Sequence, residues 1–247
     1  MGVMCTMSWF TTPEGYELFF NRDERRARKP ALPPAVREQG VVRYIAPLDG
    51  DFGGTWLGVN HRGLTLALLN GYVELDDLLR GPADEFTSRG LLLVSLIDSR
   101  SAEQLLRRLQ REDLERFRSF HLLAFEPGGS QVMASWLRGK FRVARELEMP
   151  LVSSSFDTAE VCRTRRELLP AMRREPFAGP RELHLAYHRS HRPERGPSSV
   201  CMHRPEAQTV SFSRIAVDAA EVRFHYVPHA PCEGLAHGAP VRLARAE

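Results

Sequence analysis

The N-terminal hairpin constrains this chain more than any other stretch. Cys5-Thr6-Met7-Ser8-Trp9-Phe10 is a β-prone run, Pro13-Glu14-Gly15 supplies turn chemistry, and residues 16–21 are aromatic and apolar again. A hairpin of this kind needs no long-range folding to bring Cys5 near Asn21-Arg22-Asp23-Glu24. Side chains alternate along a strand, so Asn21 and Asp23 share one face and Arg22 takes the other. Asp23, rather than Arg22, is therefore expected to meet Cys5.

A cysteine at the very start of a chain carries a thiol and an α-amine on one residue. The amine, with a reference pKa of about 7.7–8.0, is partly neutral near pH 7 and can take the proton of a thiol of about 8.5. Met1-Gly2-Val3-Met4 precede Cys5, so this chemistry requires translation from Met4 followed by Met removal, or cleavage of the short leader. Otherwise the Cys5 nitrogen is an amide and cannot act as a base. The residues alone leave two readings of Cys5, a nucleophile and a small buried hydrophobe. Asp23 reads equally as a turn or ion-pair residue, and Asn70-Gly71 as a hairpin turn.

A second hairpin spans residues 55–70, entered through Gly53-Gly54-Thr55-Trp56 and turned at Arg62-Gly63, with a further strand at 41–47 before it. Gly53-Gly54 suits a tight backbone approach, and Trp56 reads as core. The basic, proline-rich residues 25–40 read as a surface loop. Helical signals follow at 88–98 and, behind the capping box Ser101-Ala102-Glu103-Gln104, at 105–110. Short strands are expected at 120–126, 131–136, 141–145 and 151–154. A helix is expected from Asp157 to about Arg173, with Pro170 kinking or ending it. Residues 176–199 read as loop or short helix, and strands close the chain at 208–217 and 222–227. This order predicts one α+β domain over 1–247, with helices layered on antiparallel sheet.

Composition excludes some function classes. The 34 basic and 31 acidic residues leave a net charge of +3, too small to indicate nucleic acid. No apolar run reaches the ~20 residues of a membrane span, and no secretory signal pattern is read at the start. The four cysteines (Cys5, Cys162, Cys201 and Cys232) form no CxxC pair and are expected as free thiols, with the cytoplasm as compartment. His184, His188 and His191 read as a solvated surface stretch. Cys201-Met202-His203 reads as a structural strand edge, despite carrying metal or haem ligand types. No metal is expected, and oligomeric state is left open.

Met4-Cys5-Thr6, the Leu18-Phe19-Phe20-Asn21-Arg22-Asp23-Glu24 run, Ala46-Pro47-Leu48-Asp49, Gly53-Gly54-Thr55-Trp56-Leu57-Gly58-Val59-Asn60 and the 63–70 segment together resemble the NRDE family, also called the transport and Golgi organisation protein 2 family. Ser153-Ser154 and residues 201–213 extend the match. That family is similar to the N-terminal-nucleophile hydrolases of the penicillin V acylase and bile salt hydrolase branch. The resemblance implies a four-layer αββα sandwich. It implies Cys5 as nucleophile, Asp23 as the carboxylate holding the α-amine and Asn70 as an oxyanion-hole residue. Ser154 stands where those acylases carry an asparagine. Arg22 is a candidate for balancing the charge or lowering the thiol pKa, and Arg214 is a loose counterpart of a late catalytic arginine. The function implied is a cysteine amidohydrolase acting on an amide or acyl bond of a small metabolite, without a cofactor. The alternative is a non-catalytic protein handling a small ligand, lipid or haem.

Overall fold

The computed structural model describes residues 5–72, 86–155, 157–235 and 238–246; Met1–Met4, on which the start-site question turns, lie outside them. Strand β1 (Cys5–Thr12) folds back on β2 (Gly15–Arg25). Gly15 is required at the start of β2, because a side chain there would meet the Val217 carbonyl oxygen at 2.1 Å. Next come β3 (Leu32–Gln39), β4 (Val42–Leu48), β5 (Leu57–Asn60) and β6 (Thr65–Asn70). Helices α1 (Arg89–Leu96) and α2 (Ala102–Leu109) precede β7 (Phe120–Phe125), β8 (Gln131–Leu137), β9 (Lys140–Ala144) and β10 (Leu151–Ser153). Helices α3 (Thr158–Met172) and α4 (Pro180–Arg189) lead to β11 (Ala207–Val217), β12 (Glu221–Val227) and β13 (Val241–Ala244).

The strands form two antiparallel sheets. One runs β10-β1-β2-β11-β12-β13 and the other β3-β4-β5-β6-β7-β8-β9. Met7, Trp9, Leu18, Phe20 and Ile215 of the first sheet bury themselves against Ile45, Leu57, Val59, Ala67 and Leu123 of the second. The outer face of the second sheet is covered by Leu92, Leu93 and Leu96 of α1 and Leu105, Leu106 and Leu109 of α2. Helices α3 and α4 cover the outer face of the first, through Leu169, Met172, Leu183 and Tyr187. The layer order is therefore helix, sheet, sheet, helix, as the resemblance implied.

β2 is central, and residues 15–23 are buried on both faces. Tyr16, Leu18, Phe20 and Arg22 look between the sheets, while Glu17, Phe19, Asn21 and Asp23 look toward the helices. Its pairing with β11 shifts between Thr209 and Ser211, which leaves Val210 as an extra residue.

Several expectations hold and others are corrected. Both hairpins form where predicted. Ser101 Oγ accepts from the Gln104 backbone N–H at 3.1 Å and caps α2. Gly54 is needed, because a side chain there would meet the Gly90 backbone at 2.5 Å. The segment read as a loop at 25–40 contains strand β3, and its Pro33 and Pro34 are tolerated because β3 is a sheet edge. Pro170 lies inside the last turn of α3, which runs on to Met172. Strand β13 was not expected. No helix among the described residues is long and apolar enough to cross a membrane.

Candidate active site

Cys5 opens β1 in the interior of the first sheet. It is paired with Arg22 on β2 and with Ser153 on β10. Cross-strand partners share a face, so Arg22 joins Cys5 against expectation, while Asp23, next along β2, still reaches the thiol through its backbone N–H and its charge. Arg22 lies opposite the thiol between the sheets, and the Asp23 side chain is turned toward the helix layer. Alternation was read correctly along β2, but the register that decides which residue faces Cys5 cannot be read from one strand.

Arg22 is held from the second sheet. Its Nη2 donates to Asp49 Oδ2 at 2.6 Å and to Glu24 Oε2 at 3.2 Å. Its guanidinium lies 4.1 Å from the centre of the Trp56 ring, a cation–π stack. Asp49 also accepts from Arg28 Nη2 at 2.7 Å. Trp56 is thus core, as expected, but it also positions this arginine.

Burial pushes the Cys5 thiol up to about 12, and the nearby Asp23 carboxylate adds to the rise. The Asp23 backbone N–H and Arg22 pull the other way. The thiol is overwhelmingly protonated at neutral pH without a base.

Asp23 is fully buried in a network of its own. Thr209 Oγ1 donates to Oδ1 at 2.6 Å, and Arg165 Nη1 lies 3.2 Å from Oδ2. Arg165, also without solvent exposure, donates to Thr6 Oγ1 at 2.7 Å and to the Pro197 and Ser198 carbonyls. Burial raises Asp23 to about 6 against the opposing pull of Arg165 and Thr209. Arg165 and Thr209 lie too far away in sequence for any spacing to have found them.

Asn70 ends β6 and Ser154 follows β10, and both line one cleft of about 540 Å³ with Ser153, His121, Cys162 and Arg166. Asn70 Nδ2 donates to Tyr72 Oη at 2.6 Å. The hydroxyl on the register partner of Cys5 belongs to Ser153, not Ser154, and Ser153 Oγ is buried without a hydrogen-bond partner. Arg214 is not at the site. It pairs in register with Phe19 on the helix-facing side and binds Glu17 and His225.

The histidines of α4 are not a solvated surface. Asn21 Nδ2 donates to the His188 and Val200 carbonyls, so its Oδ1 accepts from His188 Nδ1–H at 3.0 Å. His188 Nε2 is then an acceptor for the Ser8 hydroxyl at 2.9 Å. Ser8 Oγ in turn accepts from His184 Nδ1–H at 2.7 Å. Burial lowers both imidazoles, His184 to about 4 and His188 well below its ordinary value. His191 lies beyond the helix. Its ligand atom lies within 4.8 Å of those of Cys201, His203 and Cys232. His203 forms an isolated antiparallel bridge with Gln208, in keeping with the strand-edge reading of residues 201–203, and Cys201 and His203 supply two of those four ligand atoms.

Comparison with solved structures identifies the fold. The N-acylethanolamine-hydrolyzing acid amidase ortholog of Caenorhabditis elegans is 13% identical, with a TM-score of 0.60 over 85% of this chain and 92% of that one. A mutant of conjugated bile acid hydrolase from Clostridium perfringens is 12% identical, with a TM-score of 0.54 over 96% of each chain. Penicillin V acylase from Agrobacterium tumefaciens is 14% identical, with a TM-score of 0.52 over 90% of this chain and 82% of that one. These are N-terminal-nucleophile hydrolases, and at such identities the likeness is one of fold. Among curated proteins, none matches. The family model described as Transport and Golgi organisation 2 matches residues 4–163, well over half of the chain, and the chain belongs to that family.

Proposed function

We propose that the chain is a cysteine amidohydrolase that acts once Cys5 is the first residue. The observation that carries this reading is the placement of Cys5 at the head of β1, between Arg22 and Ser153, beside the Asn70–Ser154 cleft. The names of the similar structures, an acid amidase, a conjugated bile acid hydrolase and an acylase, support an amide or acyl substrate. A cleft of about 540 Å³ suits a small metabolite.

In the reaction the Cys5 α-amine takes the thiol proton as Sγ attacks the acyl carbon. The amine then returns that proton to the leaving nitrogen as the C–N bond breaks. Water attacks the resulting thioester, and Sγ leaves as the thiol. Arg22 favours the thiolate by its charge, and Asp23 steadies the ammonium from the other face of the sheet. Asn70, Ser153 and Ser154 are the donors available for the developing oxyanion. One such donor is typically worth about 3–4 kcal/mol.

The test is the intact mass of protein made from its native gene start, before and after brief iodoacetamide treatment, followed by an amide-substrate screen. A mass beginning at Cys5, one fast thiol there and turnover abolished by Cys5→Ser support the reading. A mass retaining Met1 or Gly2, with Cys5 inert, removes the base and leaves ligand carriage, haem included, as the function to pursue.

A further inference from the structure

We propose that His191, Cys201, His203 and Cys232 form a structural zinc site. The four come from three separate segments: the loop after α4, the stretch before β11, and the short 3₁₀ turn Pro231–Glu233. Their four ligand atoms all lie within 4.8 Å of one another. Two thiols and two imidazoles are the donor set that selects tetrahedral zinc over hard cations.

The distances fit that geometry. Zinc bonds of about 2.3 Å to sulfur and about 2.0 Å to nitrogen give a tetrahedron whose S···N edges are roughly 3.6 Å. His203 Nε2 stands 3.6 Å from Cys201 Sγ and 3.4 Å from Cys232 Sγ. Weak S–H···N bonds would account for that pair of contacts alone. They leave His191 unexplained, because its Nε2 is buried and has no hydrogen-bond partner. Its ring packs edge-on to His203 with centroids 5.1 Å apart. Cys201 is buried and the other three are half-buried, so the group is enclosed yet reachable by an ion.

Binding involves no change of oxidation state. Each Sγ–H loses its proton to solvent as its S–Zn bond forms, and two thiolates balance the charge of Zn²⁺. With four protein ligands the coordination shell is closed, which assigns the ion to structure rather than catalysis. Its structural reach is specific. The Met202 backbone N–H, beside Cys201, donates to Thr209 Oγ1, and Thr209 donates to Asp23. The Pro197 and Ser198 carbonyls between His191 and Cys201 receive Arg165. The ion therefore fastens the wall that holds the buried Asp23–Arg165 pair. This inference stands independently of the hydrolase reading.

The experiment is elemental analysis of the full chain purified without chelator. It is followed by removal of metal under reducing conditions and titration with Co²⁺ alone. The expected result is one zinc per chain, and a cobalt spectrum with tetrahedral d–d bands and thiolate-to-cobalt charge transfer that saturates at one equivalent. Cys232→Ser should weaken the charge transfer, and His191→Asn should keep it while lowering affinity. Each loss should exceed the roughly 10–100-fold cost of removing an outer-shell partner. Zinc absent together with a cobalt titration lacking charge transfer overturns the proposal. So does zinc retained in both variants, or a Cys201–Cys232 disulfide in the protein as freshly purified, before any reductant is added. The wild-type titration decides the matter even if a variant fails to fold.

Discussion

Cys5 and Arg22 stand directly opposite each other across the β1–β2 hairpin, on the face that looks between the two sheets. Of the two strand partners of Cys5 among the described residues, Arg22 and Ser153, Arg22 carries the charge, and Asp49 and Trp56 hold it there from the other sheet. Its removal should act on both stability and thiol chemistry. Arg22→Ala should cost about 1–3 kcal/mol, the range for lost hydrogen bonds to charged groups. That corresponds to a Tm drop of about 2–4 °C per kcal/mol for a chain this size. Arg22→Lys should keep the charge but lose the stack. An unchanged Tm in Arg22→Ala would show that the Asp49 and Trp56 contacts carry no stability.

The thiol of Cys5 should react slowly wherever residues precede it. With its pKa near 12, alkylation by iodoacetamide should rise about tenfold per pH unit from 7 to 10 without a plateau. Arg22→Ala should lower the whole line, because a cation that favours the thiolate is gone. Peptide mapping of the alkylated site separates Cys5 from Cys162. A plateau near pH 8 would mean that Cys5 is far less buried than described.

Asp23 and Arg165 should behave as a unit. Removing either partner leaves a buried charge unpaired, at a cost of roughly 3–5 kcal/mol. Asp23→Asn and Arg165→Met together should cost less than the sum of the two, with a coupling of about 1–3 kcal/mol in denaturant melts. Strict additivity would break the assignment.

Acid should unfold the protein through its buried histidines. His184 falls from 6.5 to about 4 in the fold, and His188 is lowered further. The native state therefore resists protonation that the unfolded state accepts. This contribution is complete above pH 6.5 and is lost as pH falls from there toward 4, at up to about 1.4 kcal/mol per unit for each group. Asp23 runs the other way. Its folded value of about 6 lies above the ordinary 3.8, so its contribution is present below about 4 and lost as pH rises through 6. His184→Gln, which keeps a donor for Ser8, should flatten the decline of Tm between pH 6.5 and 4. An unchanged slope would remove His184 from the account.

How much of this was legible follows from range. The hairpins, the capped α2 and the alternation of Asn21, Arg22 and Asp23 are local, and local pattern carries them. Register is not local, so the pairing of Cys5 with Ser153 and Arg22 could not be read from the sequence. The buried polar side of α4 misled in a different way. His184 and His188 share a helix face, and a polar face ordinarily points to water. Here Ser8 and Asn21, from the first hairpin, meet it inside. Arg165, Thr209 and Cys232 join their partners across distances that no single-chain periodicity records.

The unpaired Val210 has a consequence for the two faces of the first sheet. Side chains two apart on a regular strand point the same way, yet Thr209 reaches Asp23 while Ser211 is in register with Arg22. The extra residue works as a phase slip. It lets one strand address consecutive residues of its neighbour, one on each side of the sheet. Excising Val210 would make Thr209 and Ser211 direct neighbours opposite Asp23 and Arg22, so both could keep their present partners while the bend and added twist of the bulge are lost.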